Sequence, residues 1–220
     1  MKRTPEPELM DAPEQARAYA EADFEAPNQL FVSLFVPLVE ADANSRLIDL
    51  GCGPGDICIR LARLLPQWHI TGLDAGPNML SLAGDAVKRA NLVERIELLL
   101  AHLPDEVPPG RFDAITSNSL LHHLPDSAAL WDSITRLARP GCVVQIMDLH
   151  RPADRDAAAA IVDLHAADAP EVLRQDFYNS LLAAYTADEV ETQMKACGLD
   201  GLALTRPTDR HWLVQGRIES

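Results

Sequence analysis

A chain of 220 residues, 47% hydrophobic and 24% charged, has enough apolar material for one sizeable core and no bias toward disorder or a fibrous repeat. Its formal net charge of −14, with no Lys/Arg cluster to offset it, opposes a phosphate backbone and disfavours nucleic acid as a partner. Three further features predict a cytoplasmic protein with reduced thiols and no membrane insertion: Leu30 to Val39, the longest apolar run, is too short to span a bilayer; Met1-Lys2-Arg3 opens no secretory signal; and Cys52, Cys58, Cys142 and Cys197 have no paired spacing.

Met1 to Glu8 mix charge and proline and are expected to be mobile unless they cover a ligand. Glu14 to Phe24 sets Ala16, Tyr19 and Ala20 on one side, and Leu30, Phe31, Leu34, Phe35 and Leu38 repeat at helical spacing. Two N-terminal helices follow, the second bending or ending near Pro37. Arg46 to Leu50 is the first strand, and its helix carries Ile57, Leu61, Leu64 and Leu65 on one face until Pro66. Trp68 to Asp74, Arg95 to Leu100, Phe112 to Ser117 and Cys142 to Met147 are the next four strands. Between them come a helix opened by Pro77 and running to about Ala90, and one capped by Asp126 or Ser127. This alternation predicts a parallel sheet wound on both faces. An alanine-rich helical segment from Asp154 to Ala167 follows, then a polar aromatic stretch from Arg174 to Tyr185 and a capped helix from Asp188 to Cys197. Leu202 to Thr205 and Trp212 to Arg217 flank Pro207-Thr208-Asp209 like a hairpin. With no repeat or linker, 1–220 is one domain, with cap helices over 1–42 and a lid or substrate insertion over 149–187.

The chemistry concentrates in Leu47-Ile48-Asp49-Leu50-Gly51-Cys52-Gly53-Pro54-Gly55-Asp56, a short apolar strand that breaks into a glycine-rich turn and a helix. Glycines there let backbone approach a ligand closely or take positive φ. Asp74 closes the next strand about 20 residues on, where an acidic side chain can accept from both ribose hydroxyls of an adenosine. A dinucleotide site wants G-x-G-x-x-G; these glycines read G-x-G-x-G. The carboxylates of Asp49 and Asp56 would repel a pyrophosphate but suit a ligand bearing an ammonium and a sulfonium, as S-adenosylmethionine does. A nicotinamide dehydrogenase is set aside on both counts.

With this loop the chain resembles the class I S-adenosylmethionine-dependent methyltransferases. Gly72 to Leu80 looks like the family's second motif, Phe112 to Asp126 like its fourth strand and following loop, and Arg139 to Asp148 like its next turn and fifth strand, in family order and spacing. The resemblance implies an α/β Rossmann-like doubly wound sheet of seven strands, mostly parallel with an antiparallel C-terminal hairpin. It implies methyl transfer from S-adenosylmethionine, giving S-adenosylhomocysteine, to a small-molecule acceptor by direct in-line displacement; a catalytically silent regulatory or scaffold protein that binds the same cofactor is the alternative. A homodimer is admitted.

Carried over by position, Asp49, Gly51 and Gly53 surround the methionine part, Asp74 and Ala75 the ribose, Met79 the adenine, and Asn118 the ammonium. Where the family often has Gly-Asp-Ala, this chain has Leu100-Ala101-His102-Leu103-Pro104, so adenine is left to backbone near Ala101 and Leu103, or to His102. His122, the candidate catalytic residue, and His123 stand in a common family loop where histidines often pack or cap. As neighbours in sequence they are expected to point different ways, and no metal is assigned. Tyr19, Arg151, Tyr178 and Asn179 fall in the regions the fold uses as a lid and, with His123, are candidate acceptor contacts.

Overall fold

The computed structural model describes residues 1–7, 11–40 and 44–219; Glu8, counted above with the N-terminal stretch, lies outside them. Seven strands form one sheet in the order β3-β2-β1-β4-β5-β7-β6. These are β1 (Arg46–Leu50), β2 (His69–Asp74), β3 (Ile96–Leu100), β4 (Phe112–Asn118), β5 (Ala138–Leu149), β6 (Ala203–Thr205) and β7 (His211–Ile218). β1 to β5 pair in parallel, and β7 runs antiparallel to β5 and β6, the expected hairpin. Strand order reverses beside β1, the place where open α/β sheets leave a crevice at the carboxyl ends of their strands.

Among the described residues, eight α-helices surround the sheet: α1 (Pro13–Glu21), α2 (Glu25–Phe35), α3 (Asp56–Leu64), α4 (Pro77–Arg89), α5 (Ala128–Leu137), α6 (Arg155–His165), α7 (Glu171–Ala183) and α8 (Ala187–Ala196). The predicted first helix stops early, so that Phe24 begins α2 and stacks its ring 4.7 Å from Tyr19. Pro37 does end α2, in a short 3-10 turn over Val36–Leu38. The polar aromatic stretch is part of α7, which starts at Pro170 and buries only its last turn, Ser180 to Ala183. A helix fully buried only in its last turn carries a weak apolar repeat, which is why its periodicity reads poorly.

Two apolar layers sandwich the sheet. Trp131, Ile134 and Leu137 of α5 pack with Val190 and Met194 of α8 and Trp212 on one face. Phe31 and Phe35 of α2 pack with Leu61 of α3 and Val87 of α4 on the other. Leu149, Ala158, Val162, Leu181, Leu182 and Ala184 form a third, separate cluster under α6 and α7. The ends of that helical pair meet: His150 bridges to Tyr185, and the Arg151 N–H donates to the Tyr185 carbonyl at 3.2 Å.

The N-terminal residues are not loose. The Thr4 N–H donates to the Leu182 carbonyl at 2.9 Å, and Arg3 donates to the carbonyls of Ala183 and His122 while its guanidinium lies 4.2 Å over the Tyr185 ring. Residues 1–7 therefore tie α7 to the loop after β4.

Candidate active site

β1 delivers its carboxyl end into the turn Gly51–Gly55, where two glycines do different work. At Gly51 (φ +73°) an added Cβ would sit 2.8 Å from the Leu120 side chain, so packing demands glycine. At Gly53 (φ +52°) an added Cβ would meet no protein atom within 4 Å; it faces open space. The Gly53 N–H donates to Asp74 Oδ2 at 2.7 Å and the Gly76 N–H to Asp74 Oδ1 at 2.8 Å, so the β2 carboxylate ties the two loops together. Each oxygen keeps lone-pair capacity for a further donor.

That space is a cavity of about 990 Å³, at the top of the range of roughly 300–1,000 Å³ usual for ligand pockets. Asp49, Gly51, Gly53, Asp74, Ala75, Met79, Ala101, Leu103 and Asn118 line it, and so do Tyr19, His122 and His123. Four other candidates do not. His102 holds Glu106 at 3.2 Å, and Arg151 is buried against the Ala184 carbonyl and Glu189. Tyr178 packs on the α6–α7 cluster, and Asn179 accepts from Gln175. From α7 the cavity takes Leu173, Asp176, Phe177 and Ser180 instead, one helical face away.

Asp49 lies under the turn rather than at its mouth. It is 2% exposed, accepting from Thr116 Oγ1 at 2.8 Å and Cys58 Sγ at 3.4 Å. Burial pushes its carboxyl up to about 7, against the pull of these two donors. Asp56 is neutralised: Arg60 binds it at 2.6 Å and Glu25 at 2.5 Å. Asp74 is raised by burial, with the turn N–H groups holding it back. Asn118 Oδ1 is buried without a hydrogen-bond partner in the cavity wall.

Across the cavity, the 3-10 turn Leu121–His123 sets His122 beside the end of β5. His122 Nδ1 lies 2.5 Å from Asp148 Oδ1, and Asp148 also accepts from the N–H groups of His122 and Leu149. Burial works against the charged ring, but Asp148 and Glu6 outweigh it and raise His122. Burial also raises Asp148, yet His122 wins and holds it below the usual carboxylate range. His123, buried beside His122, is driven down to about 3 and is neutral. Their rings stack at 4.1 Å, so the expectation that they point apart fails, and both approach Glu6.

A family model described as a methyltransferase domain matches residues 48–144, from β1 through the glycine turn and Asp74 to β5. Over this span, 97 of its 220 residues, the chain is similar to methyltransferase domains. A curated 2-phytyl-1,4-naphtoquinone methyltransferase of Synechococcus elongatus is 30% identical over 127 residues, 57% of this chain and 54% of the relative. The chain spans about half the length of the curated relatives it matches. A crystal structure of an S-adenosylmethionine-dependent methyltransferase from Aquifex aeolicus superposes with TM-score 0.67 at 16% identity, covering 94% of this chain and 98% of the other. A Haemonchus contortus phosphoethanolamine N-methyltransferase 2 in complex with S-adenosylmethionine gives 0.68 at 17%, covering 90% and 44%. At these identities the two structures show the methyltransferase fold alone.

Sequence reading missed Glu6 and Asp11. The Asp11 carboxylate accepts from the N–H groups of Asn78 and Met79 at 3.0 Å, capping α4 from a segment 67 residues away. Glu6 accepts from Ser180 Oγ at 3.0 Å. Neither sits in a motif; their proline-rich, charged surroundings read as a solvated end.

Proposed function

We propose that the protein transfers a methyl group from S-adenosylmethionine to a small-molecule acceptor by direct in-line displacement, with S-adenosylhomocysteine as product. The observation that carries this is the glycine turn facing open space at Gly53, with acidic groups at both ends of the ligand it would hold. The residues fit the cofactor. Asp74 has capacity left for ribose hydroxyls, and the orphaned Asn118 Oδ1 and buried Asp49 suit an ammonium. Met79 and Leu103 offer apolar contact to a base.

When bound, S-adenosylmethionine supplies an activated methyl: the acceptor's lone pair takes the carbon, the S–C pair stays on sulfur, and any acceptor proton leaves. What the protein adds is position and exclusion of water. Tyr19, Phe177 and Leu124 wall the acceptor side, and His122, its Nδ1 turned to Asp148, is the catalytic group whose Nε2 lone pair makes the acceptor more nucleophilic. The size and polarity of the space beyond the turn favour this over a silent cofactor-binding protein. The net charge of −14 supports a small acceptor rather than nucleic acid. Four free cysteines support a cytoplasmic setting, and among the described residues no helix is long and apolar enough to cross a membrane.

Two variants test the cofactor side by calorimetry with S-adenosylhomocysteine. Asp74→Ala is expected to lose about 2 kcal/mol, the value of charge-assisted bonds to two hydroxyls. NAD should bind poorly to either protein, and equal affinity for NAD would overturn the assignment. Gly53→Ala is expected to cost the fold only about 1 kcal/mol, for its left-handed backbone, while lowering affinity at least ten-fold because its methyl enters the ligand's space. Unchanged affinity in Gly53→Ala would remove the turn from the binding site.

A further inference from the structure

We propose that Glu6, His122 and His123 form a site for a divalent cation of the zinc type, and that the acceptor is a hydroxyl or thiol compound whose oxygen or sulfur takes the cation's open position. The proposal rests on the methyl-transfer reading above and says how His122 acts on the acceptor: through a bound cation.

Three potential ligand atoms converge on one point of the cavity wall. Asp148 takes up His122 Nδ1, so Nε2 is the ring nitrogen turned to Glu6 Oε1, 3.5 Å away. His123 Nδ1 is buried without a hydrogen-bond partner. It lies 3.2 Å from the same Glu6 oxygen. All three donor atoms lie within 4.8 Å of one another. Acceptors turned on one point repel unless a proton or a cation sits among them, and the cation is the occupant proposed here.

The spacing and the surroundings suit a metal. Ligand bonds of about 2.0–2.1 Å in a tetrahedron set neighbouring ligand atoms about 3.4 Å apart, between the two separations seen. Two imidazoles and one carboxylate select zinc-type ions over magnesium or calcium. Asp148 supplies the carboxylate behind a ligating histidine that orients such rings, and Ser180 Oγ steadies Glu6. Glu6 and Asp148 bring two negative charges; Arg3, bonded to the His122 carbonyl, is the positive group nearby. Three protein ligands leave a fourth position open, as catalytic zinc sites do, and His122 and His123 both line the cavity that holds the turn. An O–H or S–H bound there loses its proton to water more easily, and the freed lone pair attacks the methyl carbon.

Chelator-treated protein titrated with cobalt(II) is expected to develop the intense visible absorption of a low-coordinate site at one equivalent per chain, and zinc should displace it. Glu6→Gln and His123→Phe, which keep the size and packing of the side chains, should weaken cobalt binding at least ten-fold. Zinc should raise the melting temperature of the parent protein and not of these variants. Absent absorption at saturating cobalt, or equal binding by both variants, would overturn the proposal and leave His122 as a proton acceptor. Calorimetry with S-adenosylhomocysteine on the same samples separates the two readings: cofactor binding without cobalt binding defeats the metal site alone, and cobalt binding without cofactor binding defeats methyl transfer alone.

Discussion

Asp49→Asn is expected to make the ligand-free protein more stable above neutral pH while weakening S-adenosylhomocysteine about 100-fold. Burial raises this carboxyl from 3.8 to about 7, so the folded state holds a proton that the unfolded chain releases near pH 4. The stability this contributes is complete below about pH 4 and is lost as pH rises through about 7. At 1.36 kcal/mol per pH unit the gap is on the order of 4 kcal/mol, an upper figure since local relaxation reduces it. Asparagine keeps an acceptor for Thr116 and carries no charge to bury, so thermal melts from pH 5 to pH 8 should lose most of this slope. The price appears in binding, because a ligand ammonium is the partner that makes the buried charge tolerable, and 100-fold is about 2.7 kcal/mol. The same linkage predicts that parent affinity falls as pH drops below 7. Full affinity in the variant would place the ammonium elsewhere.

His122→Asn should lower turnover by about two to three orders of magnitude with S-adenosylhomocysteine affinity within two-fold of the parent. The amide nitrogen of asparagine can take the place of Nδ1 and keep a donor on Asp148, which alanine would leave as an unpaired buried charge at a cost of about 3–5 kcal/mol. What it removes is the Nε2 lone pair. Turnover is read as S-adenosylhomocysteine release on the acceptor found in a panel of small phenols, quinones, thiols and amines. Parent-like turnover would return His122 to a packing role.

The half of the molecule built around the glycine turn was legible because its determinants are local. One strand, a turn of glycines and a carboxylate at the next strand's end are each set by a few neighbouring residues, and Leu47 to Asp74 folds as that pattern demands. Burial was not legible in the same way. Asp49 reads as a charge at the mouth, and only the packing of Thr116 and Cys58 over it shows that it is sequestered. The acceptor half depends on contacts spanning more than a hundred residues, such as Arg3 with His122 and Glu6 with Ser180, which leave no trace in local periodicity. On α7 the choice between Tyr178 and Phe177 turned on a single step of 100°, finer than an apolar repeat with one buried turn can fix.

The helical pair α6–α7 has its own small core, and its two ends are joined at His150 and Tyr185. A segment that leaves and re-enters a scaffold at one point behaves as a cassette. It is still held to the rest by Thr4 on the Leu182 carbonyl, Glu6 on Ser180, Gln15 on Asp176 and Asp209 on His165. A graft of residues 151–184 would therefore have to carry residues 1–7 with it.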